Sequence, residues 1–206
     1  MILYLHGFRS SPRSFKARVV HERMTAAGRA NDLICPQLPS SPKAAMALAL
    51  LLAERHAPEN LAIVGSSLGG FYATWLAERL GVRAVLLNPA VDPCASLDKH
   101  VGLTTGWHSD EPFEFRREYV DELAALRVER ITRPERYFLV ATTGDEVLDY
   151  RDMVAHYPGA RQHVIEGSDH AISEFPQYVD EVLAFCQPQL NWSEAWSRAA
   201  QTGMAG

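Results

Sequence analysis

Leu61-Ala62-Ile63-Val64-Gly65-Ser66-Ser67-Leu68-Gly69-Gly70 decides how this chain is read. Its first four residues are apolar, too short a run for a helix by period, and suit a strand covered on both faces. Phe71-Tyr72-Ala73-Thr74-Trp75-Leu76-Ala77 then continues with a helical pattern that stops at Gly81. Between them stands Gly65-x-Ser67-x-Gly69. A serine that is to act as a nucleophile must project from a sharp, strained turn, so the residues two away on either side must lack side chains. The start of the following helix then offers free N–H groups and a positive dipole end to developing negative charge. With 13 glycines in 206 residues the pentapeptide alone is moderate evidence; its place between a strand and a helix makes it specific. Ser67 is the expected nucleophile, and Ser66 should point elsewhere.

Outward from this stretch the same alternation recurs. Short apolar runs at 1–5, 32–36, 61–65, 83–87, 137–142 and 162–166 read as six strands. Helical patterns at 13–27, 42–56, 68–80, 149–156 and 173–186 separate them, with Pro42 suited to a first turn. Strands apolar on both faces, alternating with helices, imply an α/β, three-layer architecture: a mostly parallel sheet with helices on both faces and right-handed crossovers. Ligands then bind at the carboxyl ends of the strands. Residues 92–133 break the alternation. They show no clear strand, and we expect an excursion over the strand ends, a small cap, with a charged helix-like stretch at 114–130. We expect one domain over 1–187 and a C-terminal tail over 188–206, with Trp192 and Trp196 on one helical face docked against the body.

A serine hydroxyl needs a base. Of eight histidines, His170 stands out, in Glu166-Gly167-Ser168-Asp169-His170 after the sixth strand. His6 is better placed to anchor its own loop. His56, His156 and His163 fall near helix ends or within a strand, while His100 and His108 lie in the irregular segment, where they can approach a substrate. The base needs an acid to fix its tautomer. Asp145, just beyond the fifth strand, fits best, with Glu146, Asp149 and Asp169 as rivals. A tetrahedral intermediate needs oxyanion donors. The expected pair is the N–H of Leu68 and the N–H of Phe8, in the loop that turns at Gly7. Arg9 is near enough to meet an anionic part of a substrate.

Taken together, His6-Gly7-Phe8, Gly65-Ser66-Ser67-Leu68-Gly69-Gly70, Asn88-Pro89-Ala90, Thr143-Gly144-Asp145-Glu146-Val147 and Gly167-Ser168-Asp169-His170 resemble the α/β-hydrolase superfamily. More closely they resemble its small bacterial YqiA-like esterases. The resemblance covers about residues 1–187. It implies a compact hydrolase lacking the first two strands of the full fold, a six-stranded sheet ordered 2-1-3-4-5-6, and hydrolysis of carboxylic esters or thioesters by Ser67, His170 and Asp145. No metal or organic cofactor is expected. With some 40 residues to build a cap, a small open pocket and a short-chain ester are expected. An acyl-CoA or acyl-carrier thioesterase on the same triad and a non-catalytic small-molecule binding protein remain as alternatives.

Composition sets outer bounds. Twenty basic against 25 acidic residues give −5, which disfavours nucleic acid as a main partner. No run approaches the ~18 apolar residues of a membrane span. Cys35, Cys94 and Cys186 are scattered and odd in number, with no metal-binding spacing. A cytoplasmic protein with reduced thiols, acting on a small-molecule ester or thioester, is the expectation.

Overall fold

A computed structural model describes residues 1–106, 109–190 and 192, with the side chains of 103–113 left aside. Six strands form the central sheet: β1 (Ile2–Leu5), β2 (Leu33–Ile34), β3 (Ala62–Ser66), β4 (Arg83–Leu87), β7 (Tyr137–Thr142) and β8 (Arg161–Ile165). Two further strands, β5 (Gly102–Gly106) and β6 (Ser109–Phe115), stand apart. The sheet runs β2-β1-β3-β4-β7-β8, and every pairing in it is parallel. Counting only its own members, that is the expected order 2-1-3-4-5-6.

The period of two along each strand divides the core into two layers. Leu3, Leu5, Ile63, Ala84, Leu86, Leu139 and Ala141 face one side. There they meet α2 (Pro42–Ala53) through Ala45, Met46 and Ala49, and α3 (Leu68–Leu80) through Phe71, Ala73 and Leu76. Ile2, Tyr4, Ala62, Val64, Val85, Leu87, Phe138 and Val140 face the other. That side is closed by α1 (Phe15–Ala26) through Ala17, Val20 and Met24, and by α7 (Val179–Cys186) through Val182 and Leu183. Continuous apolar strands were therefore needed, because neither face of the sheet meets water. Trp192 is buried in this second layer; Trp196 lies outside the described residues.

The helix ends follow their sequence signals. Ser41 caps α2 by accepting from the Ala44 N–H (3.1 Å), with Pro42 in the first turn. α3 ends at Gly81 in the left-handed conformation (φ 70°).

Residues 92–133 differ from expectation. They hold the short helix α4 (Pro93–Asp98), the antiparallel hairpin β5–β6 and the helix α5 (Arg117–Ala125). Pro112 and the glycines at 102 and 106 hid the hairpin, since proline ordinarily argues against a strand. Both strands of a two-stranded ribbon are edge strands, the place in a sheet where proline is tolerated. The charged stretch is helical over Arg117–Ala125, while Glu114 and Phe115 belong to β6. Phe115 is buried, its ring set edge-on against Phe8 (5.1 Å between centroids) and Tyr119 (5.6 Å). The hairpin is thereby tied to the loop that follows β1. Among the described residues no helix is long and apolar enough to cross a membrane.

Candidate active site

In register, Leu5, Gly65 and Leu86 lie side by side across β1, β3 and β4, and Thr142 pairs with Ile165 at the ends of β7 and β8. The loops that follow therefore open at one edge of the sheet. Ser67 stands there with φ 55° and ψ −123°, a conformation that a residue with a Cβ adopts only under constraint. Its backbone is pinned on both sides: its N–H donates to the Leu87 carbonyl (3.1 Å), and its carbonyl accepts from Gly70 (2.8 Å) and Ala90 (3.0 Å).

The glycines around it answer to close contacts. A Cβ on Gly65 would strike the Gly69 carbonyl, and one on Gly69 would strike the Leu5 carbonyl at the end of β1. Gly70 has Pro89 against it in the same way. The first loop presses on the turn as well: a Cβ on Gly7 would sit 3.1 Å from the Ser67 Cβ. Gly7 and Phe8 thus stand beside the serine, where the sequence reading put one oxyanion donor. Leu68, the first residue of α3, has no intrahelical acceptor for its N–H.

His170 Nδ1 lies 2.7 Å from Asp145 Oδ2. The Asp145 side chain is fully buried, and its second oxygen accepts from the Val147 (2.8 Å) and Leu148 (2.9 Å) amides. With Nδ1–H directed at a carboxylate, the lone pair falls on Nε2. His170, Ser67, Leu68, Gly7 and Phe8 line one cavity of about 450 Å³, a size ordinary for a small-ligand site. Among the described residues no hydrogen bond joins Ser67 Oγ to His170. Such bonds are often long in unliganded enzymes and tighten when substrate binds.

The rival acids have other partners. Asp169 accepts from the Ser173 hydroxyl (2.7 Å) and amide (3.0 Å); these bonds, the hydroxyl first, hold its carboxyl below the usual range. Asp149 caps α6 (Tyr150–His156). Glu146 accepts from the backbone N–H of His170 (2.9 Å). His6 is buried and accepts from the Leu38 amide at Nε2 (3.1 Å), which makes it an anchor between two loops. His163 pairs with Glu181 (3.0 Å). His100 does reach the cavity, packed 5.6 Å from the Phe8 ring; burial, then Lys99 and Arg9, hold its pKa below the usual imidazole value. His108 lies outside the described residues.

Three residues that the motif reading did not assign also meet here. Asn88 (φ 43°) is wholly buried. It donates to Thr142 Oγ1 (3.0 Å) and to the carbonyls of Asp169 (3.2 Å) and His170 (3.3 Å), and it accepts from the Thr142 amide (2.9 Å). Thr142 Oγ1 in turn donates to the Asp169 carbonyl (3.1 Å). Lys16 Nζ donates to the His170 carbonyl (2.9 Å). A buried asparagine after a strand could have been flagged from Asn88-Pro89; nothing near Lys16 in sequence marks it. Among the described residues no cluster of three or more His, Cys, Asp or Glu could hold a metal.

The profile of the family described as "Uncharacterised protein family (UPF0227)" matches residues 1–187. Solved structures with the same fold include a protein of Agrobacterium vitis S4, 20% identical with a TM-score of 0.68 over 90% of this chain and 87% of that one. Mouse alpha/beta hydrolase domain-containing protein 10 is 17% identical, with a TM-score of 0.64 over 88% of each chain. Est1E from Butyrivibrio proteoclasticus, solved with ferulic acid bound, is 15% identical, with a TM-score of 0.63 over 88% of this chain and 87% of that one.

Proposed function

The chain belongs to the UPF0227 family and has the α/β-hydrolase fold, and from that premise we propose that it is a serine esterase acting on short-chain carboxylic esters. The observation that carries the reading is the Asp145–His170 pair (2.7 Å), its carboxylate buried and its imidazole sharing one cavity with a serine held on a strained turn. Ser67 Oγ attacks the ester carbonyl carbon as its proton passes to His170 Nε2. Asp145 holds the ring and stabilises the imidazolium. The carbonyl oxygen, now negative, is met by the N–H groups of Phe8 and Leu68. Collapse breaks the C–O bond, the alcohol leaves with the proton from His170, and the acyl group stays on Ser67. Water, deprotonated by His170, then attacks the acyl carbon; the acid departs and Ser67 regains its proton. Residues 92–133 serve as a cap, with Ser96 and Leu97 of α4 lining the cavity.

Thioester hydrolysis on the same residues is the second reading. It is favoured by Arg9 and Lys99 on the cavity wall, which suit an acyl thioester whose anionic carrier stays at the mouth. The ratio of kcat/KM on butyryl esters and butyryl thioesters separates the two.

The deciding variant is Ser67→Ala. We expect turnover of p-nitrophenyl butyrate to fall by about 10⁴-fold or more with the melting temperature retained. A wild-type rate in this variant would remove the serine mechanism and leave a binding protein or another chemistry.

A further inference from the structure

The ring of His170 is held by Asp145, but its backbone is held too, and by charged groups. Its N–H donates to Glu146 Oε2 (2.9 Å), and its carbonyl accepts from Lys16 Nζ (2.9 Å) and Asn88 Nδ2 (3.3 Å). Lys16 is the unexpected member. It lies in the first turn of α1, is only 7% exposed, and lines the cavity that holds Ser67 and His170. The rest of the buried face of α1 is Ala17, Val20 and Met24, and an apolar side chain would continue it. Burying an ammonium instead carries a desolvation cost that a structural position has no reason to bear.

Several charges face it. Asp145 and Glu146 approach from the loop after β7, and Asp169 from the loop after β8. Arg9, Lys99, His100 and His170 line the same cavity. Among the described residues its hydrogen bond goes to none of the acids but to the carbonyl of His170.

We propose that Lys16 is a positioning residue for the general base: its charged hydrogen bond to the His170 carbonyl sets where the imidazole stands relative to Ser67 Oγ. The inference rests on the reading of His170 as base. It also explains how α1, which supplies no reacting group, bears on the chemistry.

The proton on Lys16 is loosely held. Burial lowers its pKa to about 8, against the pull of Asp145, Asp169 and Glu146. Below that pH the bond to His170 is charge-assisted; above it the donor is a neutral amine and the bond is about half as strong. The support for the base is therefore complete on the acid side of about 8 and weakens as pH rises through it.

The test is kcat and KM for p-nitrophenyl butyrate from pH 6 to 10, in wild type, Lys16→Met and Lys16→Arg. In wild type we expect kcat to fall roughly three- to tenfold on the alkaline side, midpoint near 8, with KM unchanged. Lys16→Arg keeps its charge throughout and should lose that fall. Lys16→Met should be about tenfold lower in kcat at pH 7, with no alkaline fall. Wild-type kcat in Lys16→Met, or the same alkaline midpoint in all three proteins, would overturn the proposal. Lys16→Met against wild type decides the matter even if arginine does not fit. Ser67→Ala and His170→Ala run alongside: if both keep full activity the base assignment itself falls, whereas dead controls with wild-type Lys16 variants sink only this inference.

Discussion

The turn that carries Ser67 and the loop that carries His170 sit at one sheet edge and are built on opposite principles. The first is held by what is missing. Gly65 and Gly69 let backbone meet backbone at distances no side chain allows, Gly70 does the same against Pro89, and Gly7 packs closely on the serine itself, so Ser67 is locked by steric exclusion. The second is held by what is added. Asn88, Thr142, Glu146 and Lys16, drawn from three parts of the chain, clamp the backbone of Asp169 and His170 by hydrogen bonds. A sterically locked turn should break abruptly when crowded. A hydrogen-bonded loop should loosen by degrees.

The largest effect belongs on the steric side. Gly69→Ala drives a methyl into the Leu5 carbonyl, neither partner of which can swing aside. We expect a loss of at least about 3 kcal/mol by urea unfolding, or no folded protein. Full stability would mean that β1 and α3 can separate, and the contrast drawn here would fail.

Asn88→Ala comes next. It leaves the buried Thr142 amide and the Asp169 and His170 carbonyls short of a partner. About 2–3 kcal/mol of stability should go, with kcat down at least about tenfold and KM little changed. A stability loss with unaltered kcat would show that the clamp supports the fold but not the base.

The smallest effect is expected at Ser173, whose hydroxyl is the chief reason Asp169 is held below the ordinary carboxylate range. A depressed carboxyl contributes stability above its unfolded pKa and loses it as pH falls through its folded pKa. Asp169 is only partly buried, so Ser173→Ala should cost no more than about 0.5 kcal/mol at pH 7. That gap between wild type and variant should shrink toward zero as pH falls below the ordinary carboxylate range, read as converging urea midpoints. A gap that widens in acid would mean the sign is wrong.

The same contrast governs how much of the site is legible in the sequence. Steric needs write themselves into sequence as glycines at fixed spacing, so Gly65-x-Ser67-x-Gly69 was legible together with its strand and helix. That the sheet is parallel and covered on both faces followed from its continuously apolar strands; its order came from the resemblance to the small α/β-hydrolases, not from periodicity. Asp145 and His170 were placed because each follows a strand end, where side chains of distant segments converge. The clamp was not legible. Lys16 lies 154 residues from the carbonyl it binds, inside a helix whose pattern presents it as one more polar residue near an N-terminus. The β5–β6 hairpin escaped for another reason: Pro112 and two glycines are strand-breaking locally, and an edge position tolerates them.

The central claim is that Ser67 is activated by the His170–Asp145 pair. Its most direct test is covalent labelling with a fluorophosphonate, followed by mass mapping of the modified peptide. The account predicts one label per chain, on Ser67 and not on Ser66, at a rate reduced about 10³-fold or more in Asp145→Asn. An unlabelled wild type, or equal labelling of wild type and Asp145→Asn, would contradict it.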